Sequence, residues 1–300
     1  MGDEGGAIAG DTLIANTARL HRLEEYRLFR YQDVTILSDP VTQDESQVFF
    51  PYPEEVDLCA PFYTKGIKQG DRVLELGTGS GLYSILAARM GGKVVGVDIN
   101  PRAIRFANIN RGINELTEHN LNFIVASMED YLQQHHELLF DRIIASLPYR
   151  PWPTELGRGK IYSNGGQFGH TFSMAAIVEC PKRLEQKGTF LIYTMSLGDE
   201  NRSWIEMQSE QLFAQQDGVT AILTKIDTQP TDFFAWFSFK NHPTRKDISK
   251  WVEQLRNLQL THMHYLMLEV KKTPGRSGWM VQQKKHTPSI AYPASRKNRE

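Results

Sequence analysis

Apolar residues along the chain fall into short runs that alternate with longer amphipathic stretches. From residue 71 onward the alternation is regular, and seven runs are predicted to be strands: 72–76, 93–99, 123–126, 140–145, 189–194, 221–226 and 264–270. Near-continuously apolar strands separated by helices are typical of parallel sheets covered on both faces. The pattern therefore predicts an α/β fold with a doubly wound, mostly parallel sheet of seven strands. One of the last two strands is expected to be antiparallel, because no clear crossover helix separates them.

The chain before this region has a different pattern. Residues 11–31 lack Pro and Gly and are rich in Leu, Arg and Glu, which favours a helix. We expect residues 1–47 to form an N-terminal extension that is partly disordered and partly helical. A single domain is predicted over residues 48–271, with a polar and aromatic insert at 228–260.

The charge is balanced overall but not along the chain. The sequence has 34 Lys and Arg and 35 Asp and Glu, which gives a net charge of −1. Residues 271–300 contain eight of the basic residues and one acidic residue, so residues 1–270 carry a net charge of −8. A negatively charged body disfavours binding to a nucleic-acid backbone. We therefore expect a small-molecule or protein partner, and we interpret residues 272–300 as a basic, flexible tail.

Three other features limit the class of protein. No stretch approaches the roughly 18 consecutive apolar residues that a membrane helix requires, so no membrane span is expected. The N-terminus lacks the basic start and apolar core of a signal peptide, which favours a cytoplasmic location. Cys59 and Cys180 are too few for a disulfide framework, and we expect no metal site. Oligomeric state is not predicted.

The strongest motif is the strand–turn–helix segment VLELGTGSG at residues 73–81. Glycines at a strand end let the backbone turn sharply and approach a ligand at the N-terminus of the next helix. A dinucleotide fingerprint GxGxxG needs Gly or Ala at position 82, where Leu82 stands, and the observed spacing is GxGxG. Glu75 would repel a pyrophosphate and attract an ammonium group. The negative charge of Glu75 therefore favours S-adenosylmethionine over NAD.

Asp98 closes the next strand, 21 residues after Gly77. A carboxylate at that position can accept hydrogen bonds from both hydroxyls of a ribose. NAD and S-adenosylmethionine both contain such a ribose, so Asp98 supports a nucleoside cofactor without choosing between them. Because Asp98 follows the glycine loop at this spacing, a cofactor-binding loop is favoured over a glycine-rich turn that binds no ligand.

Three segments together resemble class I S-adenosylmethionine-dependent methyltransferases: ELGTGSG at 75–81, VVGVDINP at 94–101 and FDRIIASLPY at 140–149. Within that class the chain is similar to N-methyltransferases with an NPPY-type motif, above all the release-factor glutamine methyltransferases. The resemblance covers about residues 48–200 and implies a Rossmann-like methyltransferase fold. The residues expected to bind the cofactor are Glu75, Gly77, Thr78, Gly79, Gly81, Asp98, Ile99, Ser127, Met128 and Ser146.

The SLPY segment (Ser146, Leu147, Pro148 and Tyr149) stands where the resembled enzymes have the NPPY-type motif, and it is expected to be catalytic. In those enzymes the first residue and a backbone carbonyl hold the N–H groups of a planar amide or aromatic amine. Here the Ser146 hydroxyl and the Leu147 carbonyl would accept these hydrogen bonds, and Tyr149 would supply a stacking face. Ser and Leu replace the usual Asn and Pro. A tight turn that ends an apolar strand is the competing interpretation.

Two other segments extend the resemblance. VFFPYPEE at 48–55 matches a segment that these enzymes carry before the glycine loop, and NGGQFG at 164–169 echoes a Gly-rich stretch after the NPPY-type motif. The residues expected to bind substrate are Phe50, Tyr52, Tyr149 and His170.

The sequence therefore predicts an S-adenosylmethionine-dependent methyltransferase that methylates an amide or amine nitrogen of a protein side chain or small metabolite. Three alternatives remain open. One is methyl transfer to the exocyclic amine of a nucleic-acid base, which the charge distribution disfavours. The others are O- or C-methylation in secondary metabolism and a non-catalytic binding protein that keeps this fold.

Overall fold

The computed structural model describes residues 26–40, 44–157, 159–239 and 245–284. Contacts between residues divide the chain into two units. Of the described residues, the first unit contains 26–40, 44–148, 159–163 and 183–185, and the second contains 149–157, 164–182, 186–239 and 245–284. The SLPY segment therefore has its first three residues in the first unit and Tyr149 in the second.

The first unit begins with a β-hairpin. β1 (Arg27–Tyr31) pairs antiparallel with β2 (Val34–Ser38), and Gln32 in the turn has a φ of 53°. The helix predicted over residues 11–31 is therefore wrong for its last five residues, and the part before residue 26 lies outside the described residues. The Leu and Arg content favours a helix locally, but pairing with the β-branched residues of β2 overrides that preference.

The rest of the first unit alternates helices with parallel strands. Its elements are α1 (Pro53–Thr64), β3 (Arg72–Leu76), α2 (Leu82–Arg89), β4 (Lys93–Asp98), α3 (Pro101–Ile113), β5 (Leu121–Val125), α4 (Met128–Gln134) and β6 (Phe140–Ala145). The strands lie in the order β6-β3-β4-β5 and all pairs are parallel. Because the strands are parallel, their carboxyl ends meet at one edge, where ligands bind in open α/β sheets.

Short polar side chains fix where the helices after β4 and β5 begin. The side chain of Asn100 accepts a hydrogen bond from the N–H of Arg102 and caps α3, with Pro101 in the first position. The side chain of Ser127 caps α4 by accepting from the N–H of Asp130. Each helix therefore starts within three residues of the preceding strand, which keeps the strand ends accessible at the edge.

The second unit contains longer strands in a mixed arrangement. Its elements are α5 (Thr171–Glu179), β7 (Leu184–Gly198, from residue 186 in this unit), α6 (Trp204–Phe213), β8 (Val219–Pro230), α7 (Thr231–Phe239), α8 (Arg245–Asn257), β9 (His262–Lys272) and β10 (Gly278–Gln283). β9 pairs antiparallel with both β7 and β8, which confirms the antiparallel strand expected near the end of the sheet. α7 and α8 occupy most of the predicted aromatic insert.

β10 lies inside the segment predicted to be a flexible basic tail, so that prediction is wrong for 278–283. All six of its residues pair in parallel with β8. The segment GWMVQQ contains no charged residue, and the basic residues of 272–300 flank it. Residues 285–300 lie outside the described part of the chain. Apart from the hairpin, the described residues form eight strands where the pattern predicts seven, and the α/β class with mostly parallel strand pairing is confirmed. The domain boundaries at 47 and 271 stay predictions.

Candidate active site

The glycine loop joins β3 to α2 at the carboxyl edge of the parallel strands. Gly77, Gly79 and Gly81 have φ values of 76°, 54° and 88°, a region that side-chain-bearing residues rarely adopt. Space is a second constraint at Gly77, because a Cβ there would lie 2.3 Å from the carbonyl oxygen of Ser146. The loop predicted from the sequence is therefore in contact with the first residue of the SLPY segment.

Glu75 lies near the end of β3 and is fully buried. Its Oε2 accepts hydrogen bonds from the hydroxyls of Thr78, at 2.8 Å, and Ser84. Its Oε1 is buried and has no hydrogen-bond partner among the described residues. Burial raises the pKa of Glu75 to about 7, against the effect of the two hydroxyls. A buried carboxylate oxygen without a partner costs free energy, which a cationic ligand group would recover.

Asp98 lies at the end of β4, next to β3 in the sheet. Its Oδ2 accepts from the N–H of Gly79 at 2.8 Å and its Oδ1 from the N–H of Asn100 at 2.9 Å. Burial raises the pKa of Asp98, and these two hydrogen bonds oppose the rise. Each carboxylate oxygen can accept a further hydrogen bond, as a ribose diol would require. The Ile99 side chain, 59% exposed, provides apolar surface beside the carboxylate.

Three other predicted cofactor residues have roles in the protein's own structure. A Cβ on Gly81 would lie 3.0 Å from the ring of Phe123, so this glycine allows α2 to pack on β5. The Ser127 hydroxyl caps α4 and donates to Asp130 at 2.7 Å. Met128 is buried. Cofactor contacts through Ser127 and Met128 stay predictions.

The first residues of the SLPY segment continue from β6. The N–H of Ser146 donates to the carbonyl of Leu76 in β3 at 2.9 Å, and Leu147 is buried. The hydroxyl of Tyr63, a buried residue of α1, donates to the carbonyl of Ala145 at 3.0 Å. Tyr63 therefore fixes the peptide that leads into Ser146. The sequence does not reveal this role, because Tyr63 lies among the apolar residues of its helix.

Phe50 and Tyr52 belong to an aromatic cluster before α1. The ring of Phe50 contacts the rings of Phe29 and Tyr52 edge-on, with centroids 6.0 and 6.4 Å away. The guanidinium of Arg27 lies 5.2 Å from the Phe50 centroid. Tyr52 is 47% exposed and presents the more accessible ring. Substrate binding by either residue stays a prediction.

In the second unit, Tyr149 contacts the Gly-rich loop at 164–169. A Cβ on Gly169, which has a φ of 80°, would lie 2.6 Å from the carbonyl oxygen of Tyr149. The Tyr149 ring meets the Tyr193 ring edge-on at 5.4 Å. Two segments that the sequence marks separately are thus in contact, and a glycine allows the close approach.

His170 directly follows this loop and precedes α5. Its ring lies 4.0 Å from the ring of Trp204 at 21° and 5.9 Å from that of Phe168 at 7°, so it stacks with both. Burial lowers the pKa of His170, and its Nδ1 is buried without a hydrogen-bond partner among the described residues. Burial therefore favours the neutral imidazole, which stacks with its aromatic neighbours.

A comparison with protein families identifies the family of the chain. A family model described as a methyltransferase domain matches residues 67–254, more than half of the chain. The chain belongs to the methyltransferase-domain family. The predicted class of S-adenosylmethionine-dependent methyltransferases is thereby confirmed, and the NPPY-type subgroup stays a prediction.

Individual relatives of this methyltransferase-domain chain share a part of it. A Methanocaldococcus jannaschii protein named "Putative protein N5-glutamine methyltransferase" is 35% identical over 136 residues, which are 44% of this chain and 65% of that protein. The ribosomal protein L11 methyltransferase of Thermus thermophilus is 35% identical over 94 residues, 31% of this chain and 35% of that protein. The chain thus spans less than two thirds of each relative.

A solved structure shares the fold over a larger part of the chain. The S-adenosylmethionine-dependent methyltransferase from Agrobacterium tumefaciens aligns with a TM-score of 0.52 at 16% identity. The alignment covers 84% of this chain and 72% of that one. At this identity the likeness supports the Rossmann-like methyltransferase fold alone.

The residues of the first unit fit S-adenosylmethionine, the cofactor of this class. The unpaired Oε1 of Glu75 suits the ammonium of the cofactor, and Asp98 suits its ribose. A Cβ on Gly79 would have no described heavy atom within 4 Å, so the loop has open space beside it. Which atoms each residue contacts stays a prediction.

Two further observations concern other kinds of site. Within the described ranges, no group of three or more His, Cys, Asp or Glu side chains could hold a metal ion. In the same part of the chain, no helix combines the length and apolarity needed to cross a bilayer.

Proposed function

We propose that this methyltransferase transfers a methyl group from S-adenosylmethionine to the nitrogen of an amide or amine, on a protein side chain or a small metabolite. The observation that carries the proposal is the anchored start of the SLPY segment. The Tyr63 hydroxyl holds the Ala145 carbonyl, and the carbonyl of Ser146 lies against Gly77. The relative named as a protein N5-glutamine methyltransferase supports a protein amide as the first acceptor to test.

Bound S-adenosylmethionine would supply a methyl group already activated on a sulfonium. The chain's own residues would hold the acceptor nitrogen, whose lone pair is delocalised in an amide or aryl amine. Ser146 Oγ and the Leu147 carbonyl accept its N–H hydrogens, and the Tyr149 ring supplies a stacking face. Accepting both hydrogens favours a nitrogen geometry whose lone pair is free to react.

Positioning is the main contribution asked of the protein. Holding two reactants as a near-attack pair lowers the activation free energy by about 7–11 kcal/mol. An amide or aryl amine can lose its proton after methylation, so the proposal assigns no general base. His170 is offered as a substrate-binding residue only.

The acceptor class is tested with tritiated methyl donor and fractionated cell extract. We expect label in the protein or small-molecule fraction, and acid hydrolysis of an N-methylated side-chain amide to release labelled methylamine. Label in RNA or DNA would replace this proposal with base methylation. Methanol released by hydrolysis would indicate an ester and thus O-methylation. Cofactor binding without label in any fraction would indicate a binding protein.

The role of Ser146 is tested by two substitutions at one position. Ser146→Ala removes the hydroxyl acceptor. We expect kcat/KM to fall about tenfold, because the loss of one hydrogen bond of about 1.4 kcal/mol corresponds to a factor of ten. Ser146→Asn restores the residue of the NPPY-type motif and is expected to retain activity. Equal activity of the Ala variant and the unsubstituted protein would remove Ser146 from the acceptor site.

A further inference from the structure

Asn110 of α3 and Asn114, the residue that follows the helix as its C-cap, pair with the outer edge of β2 as a neighbouring strand would. The Oδ1 of Asn110 accepts from the N–H of Leu37 at 2.7 Å, and its Nδ2 donates to the Leu37 carbonyl at 2.9 Å. Asn114 makes the same pair of hydrogen bonds with Thr35, at 2.9 and 2.7 Å. Each side-chain amide thus acts as a peptide group of a strand.

Helix and strand geometry explain why the spacing works. Four residues of an α-helix advance about 6 Å along its axis. Two residues of a strand advance about 6.6 Å. Asn110 and Asn114, four residues apart, can therefore reach Leu37 and Thr35, which lie two residues apart on β2. Asparagine is a weak helix former, so Asn110 inside α3 indicates a tertiary role.

Asn110 also contacts the glycine loop. Its Nδ2 donates to the carbonyl of Ser80 at 2.8 Å, in addition to the bond to Leu37. The next N–H in the loop, that of Gly81, donates to the Thr78 carbonyl at 2.8 Å. The peptide between Ser80 and Gly81 is therefore held at both its oxygen and its nitrogen.

Burial makes these contacts costly to lose. Asn110 is fully buried, and Ser80 and Leu37 are nearly so. Removing the Asn110 amide would leave buried backbone groups without partners, each costing about 1–3 kcal/mol. Asn114 differs in its third bond, because its Nδ2 donates to the carbonyl of Asn110, four residues earlier in the chain. Among the described residues it has no hydrogen bond to the glycine loop.

We propose that Asn110 is a positioning residue for the cofactor. It holds the Ser80 carbonyl, and through it the glycine loop, in the conformation that receives S-adenosylmethionine. It thereby makes the β1–β2 hairpin a structural part of the cofactor site. A loop with three left-handed glycines loses conformational freedom when it binds, and a preformed loop avoids that cost. This inference rests on the cofactor role proposed for the loop.

The experiment compares Asn110→Ala with Asn114→Ala in the full chain. Both variants remove two hydrogen bonds to β2, so we expect both to lower the thermal midpoint. Only Asn110→Ala frees the Ser80 carbonyl, and we expect it to weaken S-adenosylmethionine binding at least tenfold in calorimetry. Asn114→Ala is expected to change that affinity less than twofold. In turnover, Asn110→Ala should raise KM for the methyl donor and leave kcat at saturating donor unchanged.

Other outcomes would overturn the inference. Unchanged affinity in Asn110→Ala would show that the loop does not need this contact. Equal weakening in both variants would assign the effect to attachment of the hairpin and not to Ser80. If the Ala variant does not fold, Asn110→Asp replaces it in the test. Asp keeps the size of the side chain and the acceptor for the Leu37 N–H, but when ionised it cannot donate to the Ser80 carbonyl. Failure of the unsubstituted protein to bind the cofactor would refute the proposed function itself.

Discussion

The glycine-loop region of the first unit and the Tyr149–His170 region of the second unit are built from different chemistry. In the first, buried carboxylates and backbone groups make short hydrogen bonds, as between Asp98 and Gly79 at 2.8 Å. In the second, aromatic rings stack, as between His170 and Trp204 at 4.0 Å. The resemblance to class I methyltransferases predicts cofactor residues in the first region, whereas the match of Ser146 and Leu147 to an NPPY-type motif stays a prediction.

The two regions also differ in charge. Burial raises the pKa of both Glu75 and Asp98, and the Oε1 of Glu75 has no hydrogen-bond partner among the described residues. Burial lowers the pKa of His170, which favours its neutral form. We therefore expect the first region to suit polar and cationic groups, and the second a neutral, planar one. On the proposed function, the cofactor would constrain the first region and the methyl acceptor would constrain the second.

The largest expected effect comes from filling the space at Gly77. Gly77→Ala places a Cβ 2.3 Å from the Ser146 carbonyl at a φ of 76°, and we expect loss of cofactor binding. Urea denaturation should show a fall of more than about 3 kcal/mol in the free energy of unfolding. Gly70→Ala is the control, since it has a φ of 84° and no described atom within 4 Å. It should cost only about 1–2 kcal/mol and leave binding intact.

Asp98→Asn is expected to weaken cofactor binding about 100-fold, because two hydrogen bonds to a charged acceptor are each reduced by about 1.4 kcal/mol. Calorimetry measures the effect. Asp71→Asn is the control: the Asp71 side chain accepts from the Lys68 N–H at 2.8 Å outside the site, and the affinity should not change. Comparable affinities of the Asp98→Asn variant and the unsubstituted protein would remove Asp98 from the cofactor site.

Glu75 makes cofactor affinity depend on pH. Its pKa of about 7 means that the carboxyl must lose a proton to pair with an ammonium, so affinity should fall about tenfold per pH unit below 7. Because the pKa rises on folding, its contribution to stability without cofactor is full below about 4.5 and is lost as pH rises through 7. Calorimetry over pH 5–8 tests the first point. Glu75→Gln should flatten the profile, and a sloping profile in that variant would contradict the assignment.

The smallest expected effect is at Tyr149, where the ring and not the hydroxyl matters. Tyr149→Phe should retain kcat/KM within about twofold. Tyr149→Ala should lower kcat/KM by up to about tenfold, because it removes an aromatic stacking contact of about 0.5–1.5 kcal/mol. Cofactor affinity should be the same in both variants. A large loss in the Phe variant would instead indicate a role for the hydroxyl, and the contrast between the two regions would weaken.

The sequence by itself determined the features that depend on neighbouring residues. The apolar runs located β3, β4 and β6, and the glycines at 77–81 located the loop after β3. Asn100 was recognisable as a helix cap because capping involves residues only two or three positions apart. Asp98 was recognisable because its place at a strand end is itself a local fact.

Only the tertiary structure decided the features that join distant parts of the chain. Residues 27–31 form a strand because β2 pairs with them, and β10 forms because β8 offers it a partner. The bond from Tyr63 to Ala145 spans 82 residues, and that from Asn110 to Leu37 spans 73. Local propensity and spacing carry no record of such contacts. The glycine loop could therefore be predicted from its own residues, whereas the residues that hold it in place could not.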